Sequence, residues 1–270
     1  MDSLRLLDVF NKYNVDNWEW YKPSISQYTR YFPYELAAGL KIEDVYMQIK
    51  NARSSLLFTQ YDSYKPFVTE DNDITSTYLK SKFLFDALAN YNYCIDLSWQ
   101  FLYIYYGNND YSIIQDNKVY ERETKECNKE SLRYRMVGLA KEREKFDYVM
   151  HFLNIPLTKE VRNAYNYIKH RGTYHIKGLG IQGDDRFPTV FSGAVPTLKI
   201  ITREIIDLDE WGSKLTNFDI SFYQYFEKLV QELMPCDFTD GTVIIKNLPL
   251  ISERLEQWYK GSNRNKNVES

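Results

Sequence analysis

Two of the three histidines in the chain stand five residues apart in the segment from Val161 to His175, VRNAYNYIKHRGTYH, together with Arg162, Lys169 and Arg171. Imidazole can take or give a proton near neutral pH, while guanidinium and ammonium groups carry fixed positive charge for an anion. Asn163 and Asn166 add amide donors and acceptors to the same stretch. Acid–base chemistry on an anionic ligand, or recognition of one, is what these residue types can do.

A helix must carry them. From Pro156 onward Leu157, Val161, Ala164, Tyr165 and Ile168 recur at helical spacing, Pro156 suits a first turn, and Gly172 suits the left-handed residue just past the end. The apolar stripe centres near Ala164 and Ile168, with Arg162, Asn163, Asn166, Lys169 and His170 beside or opposite it. A purely structural role stays open, because Lys169, His170 and Arg171 occupy a last turn where the helix dipole favours cations ahead of a capping glycine.

An Arg and a polar residue late on a helix, followed by a His in a largely helical, aromatic-rich chain, resemble the HEPN superfamily of nucleotide-binding and ribonuclease domains. The resemblance is greatest to a bacterial branch whose helix ends as Lys169-His170-Arg171-Gly172 does. It covers about residues 74–175 and implies a helical bundle that forms a homodimer, is directed at RNA or a nucleotide, and functions in stress or defence. Catalytic members pair two helices for metal-independent RNA cleavage, with four to six residues between the Arg and the His. Here seven residues separate Arg162 from His170, and three separate Arg171 from His175. On one helix Arg162 and His170 would stand about 12 Å apart along the axis.

The resemblance implies Arg162, His170 and His175 as catalytic candidates. Asn163, Asn166, Lys169 and Arg171 are the corresponding binding candidates. Cleavage by the RNA's own 2′-hydroxyl needs a base, an acid and positive charge on the phosphorane, which His with Arg or Lys would supply. The alternative is a non-catalytic protein-interaction module in which the HEPN-like site has degenerated.

Composition narrows the classes. A net charge of −3 gives no general attraction to nucleic acid, so RNA binding would need a local basic patch. Cys94, Cys127 and Cys236 are scattered and odd in number, which points to neither a disulfide framework nor a thiolate zinc site and fits a reducing cytoplasm. His151, His170 and His175 with Asp184 or Asp185 match no common metal spacing, and no cofactor motif occurs. The first residues lack a basic leader followed by an apolar run, so no signal peptide is expected. Phe83 to Tyr106 is apolar but carries Asp86, Asn90, Asn92, Asp96 and Gln100, which argues against a membrane span.

Apolar periodicity predicts helices over Ile42–Leu57, Ile74–Tyr106, Lys129–Leu153, Pro156–Arg171 and Phe218–Leu233. Gly107 to Asn128 reads as an exposed loop, and the glycine-rich stretch from Gly172 to Gly193 as an irregular crossing. Leu198–Leu208 reads as a strand able to pair with Gly241–Lys246. The expected fold is mainly α, a bundle with a small irregular or β addition toward the C-terminus. It would form one domain over residues 1–260, with a core near 74–175 and a disordered tail over 261–270.

Overall fold

A computed structural model describes residues 3–179 except 62, 67, 71, 108 and 109, then strands at 186–188 and 197–199, and residues 203–254 and 256. The helices are α1 (Ser3–Lys12), α2 (Ile25–Tyr28), α3 (Pro33–Phe58), α4 (Asp73–Tyr105), α5 (Ser112–Gln115), α6 (Asn117–Lys125), α7 (Lys129–Arg133), α8 (Arg143–Asn154), α9 (Pro156–Arg171) and α10 (Leu208–Leu233). Among the described residues four short strands follow α9: β1 (His175–Ile176), β2 (Arg186–Pro188), β3 (Thr197–Lys199) and β4 (Ile205–Ile206). β1 pairs with β4 in parallel and β2 with β3 antiparallel, so the fold is mainly α with a small β addition toward the C-terminus.

The long helices lie where the apolar periodicity places them. Asn72 caps α4 by accepting the Thr75 amide at 2.9 Å, and Leu84, Leu88, Tyr91, Ile95 and Leu102, which recur along the helix at steps of three, four and seven residues, are buried. Pro156 opens α9, and Gly172, at φ 106°, closes it. α10 begins ten residues before the expected Phe218.

Three local expectations fail. The predicted loop over Gly107–Asn128 contains α5 and α6: Asp116 accepts the Lys118 amide to start α6, Ile113 is buried, and Lys41 lies 5.0 Å from the centre of the Tyr120 ring. The single helix expected over Lys129–Leu153 is broken into α7, a π-helical segment Tyr134–Leu139, and α8. The wider π turn shifts the side-chain register, so Leu139 is exposed although Leu132 and Met136 are buried, and Lys141 adopts φ 64° before α8. Gly241–Lys246 forms no strand. Ile245–Asn247 is instead a 3-10 turn, held by Asn247 donating to the Thr29 carbonyl, and β4 pairs with β1.

By contact the chain divides into two compact units. One comprises Met1–Lys12, Lys50–Asn92 and Pro156–Ile220, the other Tyr13–Ile49, Tyr93–Ile155 and Ser221–Ser270. In the first, Arg53 of α3 makes a two-pronged ion pair with fully buried Asp219 of α10 at 2.8 and 2.9 Å, and Tyr91 of α4 donates to the same carboxylate at 2.9 Å. In the second, Trp18 packs edge-on against Phe226 while its indole N–H donates to Glu227, and Phe152 stacks on Tyr225. Among the described residues no helix is long and apolar enough to cross a membrane. The expected tail over 261–270 lies outside the described residues.

Candidate groove beside helix α9

Steps of three and four residues along a helix return to the same side, so Asn163, Asn166, Tyr167 and Arg171 can share a face of α9. They do. With Lys159, Glu160, Tyr174, Glu204 and Trp211 they line a groove of about 730 Å³ within the first unit. Tyr167 stacks on Tyr174 with ring centres 4.4 Å apart and planes inclined by 22°. Burial pushes the Tyr174 hydroxyl up to about 12, Glu204 adds to the shift and Arg171 opposes it. This phenol is therefore a hydrogen-bonding group, not a base, at neutral pH.

Trp211 enters from the first turn of α10, with the Lys214 ammonium 5.0 Å from its ring centre. Lys214 also bonds Glu160 at 2.6 Å and Glu210 at 2.7 Å, which ties α9 to α10 and raises the Lys214 pKa. Glu204 comes from the residue before β4. Its carbonyl accepts the His175 amide at 2.9 Å, so the parallel pairing sets this carboxylate beside the end of α9.

The sequence-predicted residues thus separate. Asn163, Asn166 and Arg171 meet in the groove, whereas Arg162, Lys169, His170 and His175 are not among its lining residues. Arg162 is half-buried and engaged by other groups. It projects about 100° round the helix from Asn163. Lys169 and His170 are exposed on the last turn, and His175 is exposed on β1. Arg162 and His170 keep the axial separation of one straight helix, so within one chain they do not converge on a common atom.

Tyr167 was accessible to helical projection, lying four residues from both Asn163 and Arg171. Tyr174, Glu204 and Trp211 were not, because the β1–β4 pairing and the docking of α10 bring them in. Asp184 and Asp185 lie outside the described residues. Among the described residues no three His, Cys, Asp or Glu side chains are grouped to hold a metal ion. A second concavity, of about 420 Å³, is lined in the other unit by Glu130 and Arg133 of α7 and by Tyr134, Val137 and Gly138 of the π-helical segment.

Comparisons with protein-family models, curated proteins and solved structures give no match for this chain.

Proposed function

We propose that this protein is an RNA- or nucleotide-directed, HEPN-like binding module whose ligand occupies the groove beside α9. The observation that carries the reading is the convergence of two amides, an arginine and an aromatic pair on one concave face. A base stacked on Tyr167 would gain about 1–3 kcal/mol. Asn163 and Asn166 suit the hydrogen-bonding edge of such a base, each offering both a donor and an acceptor. The overall charge of −3 places the burden of anion attraction on the cations that end α9.

Binding without cleavage is the form of this function that the geometry favours. Arg162 and His170 lie outside the groove lining, so a ligand held there meets neither the imidazole nor the Arg162 guanidinium that cleavage of the HEPN type would use. Titration of the full chain with the four 5′-mononucleotides and a short single-stranded RNA, followed by calorimetry, tests the reading. Saturable binding is expected, with a loss of roughly tenfold or more on Tyr167→Ala and on the Asn163→Ala, Asn166→Ala double substitution. The RNA should remain uncut with or without a chelator. Absence of saturable binding would overturn the reading. Cleavage abolished by Arg162→Ala or His170→Ala would replace it with a composite catalytic site formed by two copies.

A further inference from the structure

We infer that the base held in this groove is guanine and that the Glu204 carboxylate selects it. This assignment rests on the nucleotide reading and adds to it the identity of the base. Stacking on Tyr167 favours no base strongly over another, since every base has a π face, and Asn163 and Asn166 can each turn an amide to offer a donor or an acceptor. Selection therefore falls to the charged side chains of the lining. Of the two carboxylates there among the described residues, Glu160 is engaged by Lys214 at 2.6 Å. Glu204 is the other, and the β1–β4 ladder fixes its place. Its carbonyl accepts the His175 amide at 2.9 Å, beside Tyr174, whose ring centre lies 4.4 Å from that of Tyr167. After burial itself, the Glu204 carboxylate is what most raises the Tyr174 hydroxyl, while the Arg171 guanidinium lowers it. A fixed acceptor and a fixed donor thus act on one phenol next to the stacking ring.

A carboxylate accepts hydrogen bonds and donates none. Guanine alone of the four bases meets it with two donors side by side, N1–H and the 2-amino group, which match its two oxygens in a two-pronged, charge-assisted pair. Adenine and cytosine each set one amino donor beside a ring-nitrogen acceptor, and that acceptor would face the second carboxylate oxygen. Uracil fits worse, because its single N3–H lies between two carbonyls. Guanine also carries acceptors at O6 and N7 on the adjoining edge, which suit a guanidinium, so Arg171 complements the same base. The phosphate common to all nucleotides gains nothing from Glu204 and is repelled by it. Glu204 thus weakens every nucleotide and compensates one, which is how a site obtains selectivity at the expense of affinity.

The test titrates the 5′-monophosphates of guanosine, inosine, adenosine, cytidine and uridine against the full chain and its Glu204→Ala and Glu204→Gln variants. Inosine monophosphate keeps O6, N7 and N1–H and lacks the 2-amino group, so its comparison with guanosine monophosphate isolates one of the two hydrogen bonds to the carboxylate. Glu204 is exposed and joins the ladder through its carbonyl, so the variants should keep the parent's circular dichroism spectrum and melting midpoint. Guanosine monophosphate should bind roughly tenfold or more tightly than the adenosine, cytidine and uridine compounds, and roughly fivefold or more tightly than inosine monophosphate. Glu204→Ala should erase both margins by weakening guanosine monophosphate while leaving the cytidine and uridine compounds no weaker, a change of preference that general damage to the groove would not produce. Glu204→Gln should also erase the margin over inosine and strengthen adenosine monophosphate, whose amino group and N1 an amide matches with one acceptor and one donor. Saturable binding with equal affinity for all five, a preference for another base, or a guanine preference that survives Glu204→Ala would overturn the role of Glu204 while leaving the nucleotide reading intact. Binding of none of the five would overturn both.

Discussion

Asp219 shows how much a single buried group can decide. It is fully buried and accepts from both Arg53 and Tyr91, so removing it strands a guanidinium away from water. Asp219→Ala should therefore destabilise the chain by about 3–5 kcal/mol in urea unfolding, whereas Tyr91→Phe, which removes a neutral donor, should cost about 1 kcal/mol. A smaller loss for Asp219→Ala than for Tyr91→Phe would show that Arg53 finds another partner. Gly172 poses a different question, because its φ of 106° is unfavourable for a side chain while the space around it is ample. Gly172→Ala should thus cost about 1–2 kcal/mol through backbone strain alone, measured by the same unfolding experiment. No cost would mean that α9 can end without a left-handed residue.

At the scale of elements, the end of α4 depends on an arginine from the π-helical segment. Arg135 donates to the Tyr103 carbonyl at 2.7 Å and to Glu123 at 2.6 Å, and its guanidinium lies 3.5 Å from the centre of the Tyr103 ring. It satisfies one of the carbonyls that a helix end leaves without a partner and ties α4 to α6. The approach requires Gly107. A Cβ there would stand 2.5 Å from Nη1 of Arg135 and 2.8 Å from the Ile104 carbonyl oxygen. Gly107→Ala should consequently cost about 1–3 kcal/mol and raise hydrogen exchange at the end of α4 and through α6, because the collision displaces the clamp. Unchanged exchange in α6 would show that this helix is held independently of Arg135. The same region explains why a polar, turn-rich stretch was expected to be a loop: its composition is that of a surface segment, and the burial of Ile113 with the packing of Tyr120 under Lys41 outweighs it.

Across the whole molecule, acid sensitivity should begin in the segment after α10. Asp237 and Asp240 have carboxyls held below the usual range, Asp237 foremost by its hydrogen bond from Tyr31 and Asp240 foremost by that from Thr242, with Arg30 paired to both. A carboxyl with a depressed folded-state pKa contributes stability above its unfolded value and loses it as pH falls through the folded value. Glu35, raised by burial, works in the opposite sense, since acid favours its folded form. Hydrogen exchange over residues 235–247 should accelerate as pH is lowered through the depressed aspartate range, after correction for intrinsic rates, and Asp237→Asn should reduce that pH dependence. A profile unchanged by Asp237→Asn would remove this cluster as the cause. Local patterning was enough to specify that the chain is mainly helical, where α4 and α9 lie, and that Asn163 and Asn166 stand off the apolar stripe of α9, because apolar periodicity, Pro156 and Gly172 act over a few residues. Tertiary structure alone decided that Arg53 meets Asp219 across 166 positions, that β4 pairs with β1 rather than with Gly241–Lys246, and that Glu204 and Trp211 complete the groove while His170 stays outside it. Those pairings join segments far apart in the chain, and they form only when the burial and hydrogen bonds gained on packing exceed the entropy lost in closing the intervening loops.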